Sequence, residues 1–149
     1  MTLSVTQLQL GAWQRIMQAE PSATLIQQSS ASPVNFQLSN INLSGWRSGP
    51  SQTTPVLCLH GWLDNANSFL PLAAAMSTQS LLAMDFAGHG LSSHRSPDAH
   101  YYLFDYVADL VELIQQQSWS KLHIIGHSMG GMVATALAAA MPELVTRLV

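Results

Sequence analysis

Two short apolar runs, PVLCLH at residues 55–60 and SLLAMDF at residues 80–86, stand out from a chain that otherwise mixes apolar and polar positions. Runs of this length without a polar face predict strands buried on both sides, as in the middle of a parallel sheet. Between them, NSFLPLAAAMS predicts a helix with Asn67 or Ser68 as its cap and Pro71 tolerated in the first turn. The clearest helical period comes next, in YLFDYVADLVELIQQQ. There Leu103, Val107, Leu110, Val111 and Ile114 share one stripe, while Asp105 and Asp109, read as solvated carboxylates, and Glu112 fall elsewhere. KLHIIG predicts a further buried strand, residues 129–140 a helix stopped near Pro142, and TRLV the start of one more strand. Alternating strands and helices of this kind predict an α/β fold, with a mostly parallel sheet flanked by helices.

Upstream the texture changes. NFQLSNINLSGWRS alternates apolar and polar residues about a turn at Ser39 and Asn40, which predicts a hairpin of half-exposed strands, and GPSQTTP follows as a loop. Residues 1–33 are rich in Gln, Ser and Ala, with one amphipathic patch where Trp13, Ile16 and Met17 share a helical face. We read 1–33 as a poorly ordered N-terminal extension and 34–149 as the N-terminal part of one domain.

Composition narrows the function classes. A chain of 149 residues, 48% hydrophobic, supports one packed domain that buries about 70% of its unfolded surface. Only 9% of residues are charged and the formal charge is −3, which offers no cationic surface to a nucleic acid. The single cysteine, Cys58, lies in an apolar run and reads as a buried thiol. The start, MTLSVTQLQLG, has neither the basic head nor the apolar stretch of a secretory signal, so a cytoplasmic location is expected. Residues 122–141 carry no Asp, Glu, Lys or Arg, yet they hold His123, His127, Ser128 and three glycines. A buried strand, tight turn and buried helix explain this better than a membrane span, which needs about 20 apolar residues. The spacing of His94, His100 and His123 suggests no metal site.

The candidate chemistry lies at that turn. Gly126, Ser128 and Gly130, with His127 between, form G-x-S-x-G, a bend sharp enough to thrust its middle residue above the sheet edge. By chance the pattern occurs in about one chain of this length in twenty, so its setting between a buried strand and a helix carries the weight. The first N–H groups of that helix, Met129's among them, are free to receive developing negative charge. LHGW follows an apolar strand and so stands at the same sheet edge, where the backbone N–H of Trp62 can meet that of Met129 as an oxyanion hole.

HGWLDNANSF, DFAGHGLSS and GHSMGG, in this order and spacing, resemble the α/β-hydrolase superfamily, and especially its serine hydrolase-like branch. The resemblance covers residues 35–149. It implies the α/β-hydrolase fold, Ser128 as catalytic nucleophile, His60 and Gly61 as the oxyanion loop, and a tight turn over residues 85–92. Ala87 stands where relatives often carry proline. Relatives that open epoxides or remove halide use an aspartate nucleophile, so Ser128 favours a small-molecule ester-like substrate, and no cofactor or metal is implied. The family order is serine, acid, histidine, with a lid before the last strands. The acid and histidine do not occur in these positions here, so we expect a fold truncated before the lid, with little turnover and a tendency to aggregate.

Competing readings stand beside this one. Ser128 is also a natural helix cap, His60, His89 and His127 are natural loop-stabilising residues, and Trp62 can serve pocket packing alone. At the level of function the alternatives are a non-catalytic binding or interaction module on a hydrolase fold, an acyltransferase, and a carbon–carbon bond hydrolase.

Overall fold

A computed structural model describes residues 30–50 and 54–149. The amphipathic patch at Trp13, Ile16 and Met17 and the middle of the GPSQTTP loop lie outside the described residues. Six strands form one sheet in the order β1-β2-β4-β3-β5-β6. These are β1 (Ser32–Gln37), β2 (Asn42–Ser48), β3 (Val56–Leu59), β4 (Leu81–Met84), β5 (Leu122–Gly126) and β6 (Val145–Leu148). The helices are α1 (Leu70–Ala75), α2 (Leu103–Gln116) and α3 (Met129–Ala140). β1 and β2 pair antiparallel, as does β2 with β4, and the remaining pairs are parallel. The mostly parallel α/β sheet expected from the sequence is therefore present, with an antiparallel hairpin on one side.

Residue alternation explains why the central strands have no polar face. Leu57, Leu59, Leu82, Met84, Leu122 and Ile124 enter one core with α2 and α3. Their neighbours Cys58, Leu81 and Ala83 enter a second core with Trp46, Phe69, Leu70 and Ala73 on the α1 side. Each core thus takes every second residue of the same strand. The β3–α1–β4 crossover and the β4–α2–β5 crossover run in opposite directions along the sheet, so right-handedness puts their helices on opposite faces.

Several local expectations change in the structure. The hairpin turn closes with Leu38 N–H on Ile41 O at 2.9 Å, but β2 is interior rather than half-exposed because its second edge pairs with β4. β1 begins at Ser32, inside the span read as an extension. Before α1, a 3₁₀ turn over Ala66–Phe69 is capped by Asn65, whose Oδ1 accepts from Asn67 N–H at 2.9 Å. The cap is therefore Asn65 and neither Asn67 nor Ser68. In α2, Tyr106 and Leu113 join Val107, Leu110 and Ile114 in the core, while Leu103 and Val111 are only partly covered. Asp109 is not a free solvated carboxylate: it pairs with Arg95, their side chains 13% and 16% exposed. Burial pushes the Asp109 carboxyl up, against the pull of Arg95. Asp105 caps the helix by accepting Tyr102 N–H at 2.9 Å. The charge-free stretch 122–141 divides into β5 and α3, and no helix among the described residues is long and apolar enough to cross a membrane.

Candidate active site

β3 and β5 are parallel neighbours, with Leu59 level with Gly126 at their carboxyl ends. The chain leaves β3 toward α1 on one face and leaves β5 toward α3 on the other. Such a divergence opens a crevice at the sheet edge, the place where open α/β sheets bind ligands. Both sequence motifs border it.

At the β5–α3 turn, Ser128 has φ 52° and ψ −114°, a conformation that costs a residue with a side chain about 1–3 kcal/mol. The surroundings impose it. His127 N–H extends the sheet ladder to Leu59 O at 2.9 Å, and Ser128 O already accepts from Gly131 and Met132 N–H at 2.9 and 3.2 Å. A Cβ on Gly130 would lie 2.1 Å from Leu59 O, and one on Gly126 would lie 2.7 Å from the Gly131 backbone. The glycines of the motif are therefore demanded by backbone approaching backbone. The Ser128 side chain is exposed and makes no capping hydrogen bond to α3. Met129 buries its side chain, and among the described residues its N–H has no backbone acceptor.

The second motif lies against the first. A Cβ built on Gly61 would stand 3.5 Å from Ser128 Cβ and 3.0 Å from His127 Nδ1. The loop closes by Asp64 N–H on Gly61 O at 3.3 Å, with Leu63 at φ 55°. His60 is fully buried beneath it: Phe86 N–H donates to Nε2 at 3.0 Å and Nδ1 lies 2.8 Å from Gly61 O. Burial lowers the His60 pKa, partly offset by the Gly61 carbonyl. Trp62 stays 59% exposed, its ring edge-on to His89 at 5.6 Å. Among the described residues the Trp62 N–H has no backbone acceptor.

Sequence reasoning missed Asp85, which it treated only as part of a tight turn. This buried carboxylate accepts Ala66 N–H at 2.7 Å and Leu91 N–H at 2.8 Å, tying the two loops that flank His60. The signal was a lone acid ending an otherwise apolar strand run, a position that water does not favour unless backbone donors satisfy it.

An open apolar groove of about 670 Å³ touches Ser128 at one end and runs past Met132, Thr135 and Ala139 to Leu148 and Val149. None of His60, Gly61 and Trp62 lines it. Among the described residues it is chiefly the flank of α3 and β6 and only marginally the crevice above Ser128. Neither His60 nor His89 hydrogen-bonds to Ser128: both ring nitrogens of His60 are engaged elsewhere, and His89 Nδ1 lies 3.2 Å from Ala87 O.

Comparison with known proteins identifies the fold family. A serine hydrolase-like protein of Danio rerio is 48% identical over 103 residues, covering 68% of this chain and 31% of that protein. A human serine hydrolase-like protein is 45% identical over 102 residues, covering 68% and 50%. The chain thus spans a third to a half of the length of these relatives. The crystal structure of a hypothetical protein from Pseudomonas aeruginosa PAO1 superposes with TM-score 0.74 at 44% identity, covering 78% of this chain and 41% of that one. The family described as alpha/beta hydrolase fold matches residues 54–149, from β3 and the loop at Gly61 through the serine turn to β6, and the chain belongs to it.

Proposed function

We propose that this chain carries the nucleophile half of a serine hydrolase site, in which Ser128 forms an acyl-enzyme with a small ester-like substrate. Trp62 and Met129 N–H groups are the oxyanion donors, each worth about 2.7–4 kcal/mol in the transition state. The observation that carries the reading is the strained, exposed Ser128 above the β3/β5 crevice, with a hydroxyl that makes no capping bond. A serine hydroxyl needs a histidine to take its proton and a carboxylate to hold that histidine. The matched region is 31–50% of the length of the relatives, so in this reading both partners are supplied from outside the residues described, and this chain alone turns over poorly. Loss of the base from a serine triad costs about 10⁶-fold in turnover.

Reaction with a fluorophosphonate tests this. Slow labelling confined to Ser128, abolished in Ser128→Ala, is the expected result. Labelling as fast as that of a complete serine hydrolase would overturn the missing-base account, and labelling at another serine would overturn the site. A ligand bound equally well by the wild type and by Ser128→Ala would favour a binding module instead.

A further inference from the structure

Among the described residues, Ser30, Leu63, Ser118 and Ser128 are the non-glycines with positive φ. Three are serines, small polar residues that suit turns. Leu63 is the exception. Its φ of 55° crowds the Cβ against the following carbonyl. The turn that contains it is closed by Asp64 N–H on Gly61 O at 3.3 Å, and a second central residue with positive φ is ordinarily glycine or asparagine. Burial does not offset the cost, because the Leu63 side chain is 69% exposed.

Neighbouring contacts hold the backbone in this conformation. The Asp64 carboxylate accepts Asn65 N–H at 2.8 Å and Ser68 Oγ–H at 2.9 Å, and Ala66 N–H is held by Asp85 at 2.7 Å. A strained residue persists only where its surroundings fix it in this way, and such residues gather at ligand sites. A strained, exposed, apolar side chain has no role in the packing of the fold.

Its position suggests the role. A Cβ on Gly61 would stand 3.5 Å from Ser128 Cβ, and Leu63, two residues further on, has its Cα within about 7.6 Å of that of Gly61. From α3, Met132 donates its N–H to Ser128 O at 3.2 Å and leaves its side chain 56% exposed. Met132 and Leu103 border the groove that reaches Ser128, and no charged side chain among the described residues lines it. Thr135 Oγ1, next along, donates to Gly131 O at 2.8 Å, so this hydroxyl is already engaged by its own helix.

We propose that Leu63 and Met132 bind the alkyl part of the substrate's acyl group, so that the ester attacked by Ser128 is that of an apolar acid and not of a short or charged one. The proposal deepens the reading of Ser128 as nucleophile and rests on it. An alkyl chain leaving the carbonyl carbon at Ser128 meets an uncharged surface, and covering a leucine and an adaptable methionine removes apolar area from water on both sides of the contact.

Two fluorophosphonates that differ only in the chain on phosphorus, methyl or octyl, test this by their rates of Ser128 labelling. The wild type should take the octyl probe about 10-fold faster, a discrimination that apolar contact can give. In Leu63→Gly and in Met132→Ser the ratio should fall toward one. Leu63→Gly should nevertheless unfold at the wild-type urea midpoint or above it, because glycine relieves the turn. Leu91→Ser, at an 85% exposed leucine of the next loop, should keep the wild-type ratio. Equal rates in the wild type, a ratio that survives in Leu63→Gly, or one that falls as far in Leu91→Ser would overturn the proposal. If neither probe labels Ser128, the nucleophile reading fails, and methyl NMR with diethyl octylphosphonate, which has no fluoride to lose, decides on the alkyl contact. Saturable shifts at Leu63 and Met132 would sustain it, and their absence would overturn it.

Discussion

Glycines 130 and 131 look alike in the sequence and differ sharply in what surrounds them. A methyl group at Gly130 meets the carbonyls of Leu59 and His60 at 2.1 and 2.7 Å, and both belong to backbone that cannot turn aside. At Gly131 the nearest atom is 3.4 Å away, an ordinary contact. Gly130→Ala should therefore destabilise the chain by about 1–3 kcal/mol and slow Ser128 labelling. Gly131→Ala should be neutral or stabilising by up to about 1 kcal/mol, because it removes glycine from a helix. Urea midpoints compare the two. Asp85→Ala removes the acceptor of the buried Ala66 N–H and of the part-buried Leu91 N–H at once, and the expected loss is about 1–3 kcal/mol for the buried donor left unsatisfied, with less from Leu91, which water can reach. If Asp85→Ala unfolds at the wild-type midpoint, the carboxylate is not what joins these loops.

Among the elements, α2 shows how a helix can be tied to the loop before it. Its apolar stripe packs on the sheet, and the Arg95–Asp109 ion pair, with the Arg95 guanidinium 5.8 Å above the Tyr101 ring centre, binds its solvent edge to the preceding loop. Removing Arg95 leaves a mostly buried carboxylate whose pKa burial already raises. Arg95→Gln should thus lower stability at pH 7 by about 1 kcal/mol, a value discounted for partial solvent screening. The deficit should shrink as pH falls and Asp109 takes up a proton, since the neutral acid no longer needs the partner. A deficit independent of pH between 4 and 7 would assign the effect to lost packing of the Arg95 stem.

At the scale of the whole fold, two features on one side are uncovered among the described residues. β6 is an edge strand with no proline along it, whereas the opposite edge strand β1 carries Pro33. Beside β6 lies the apolar groove, where Val149 is 82% and Leu148 40% exposed. Unpaired edges next to apolar surface promote association. Sedimentation velocity should show concentration-dependent association, reduced by Leu148→Lys combined with Val149→Lys. Equal association by that double variant would place the contact elsewhere. Stability should also have a plateau in pH. Burial lowers the pKa of His60, so the unfolded state binds more protons and stability declines as pH falls below the ordinary imidazole value, about 6.5. Cys58 is pushed from 9.0 up to about 12 by burial, so the unfolded thiol ionises first and stability declines as pH rises above 9.0. Urea midpoints from pH 5 to pH 10 measure both flanks, and Cys58→Ala should flatten the alkaline one.

Much of this was determined along the chain itself. Unbroken apolar runs announce β3 and β4 because strands covered on both faces need no polar side, whereas β5, expected to be buried, leaves His123 exposed. The period of α2 and the glycine spacing around Ser128 are equally local, since one is a helix stripe and the other a bend with room for no side chain. What remained hidden was whatever depends on a partner distant in sequence. Asn65 replaced the expected cap because only the folded turn shows which side chain reaches the free N–H. Asp109 left solvent because Arg95, 14 residues earlier, folds back over it. Sequence places Asp85 in a tight turn and His60 in a loop without showing which backbone groups each one holds. Tertiary contacts made one the anchor of two loops and the other a doubly held imidazole, because a buried polar atom is defined by the backbone groups that fold against it, and no run of neighbouring residues can state which those will be.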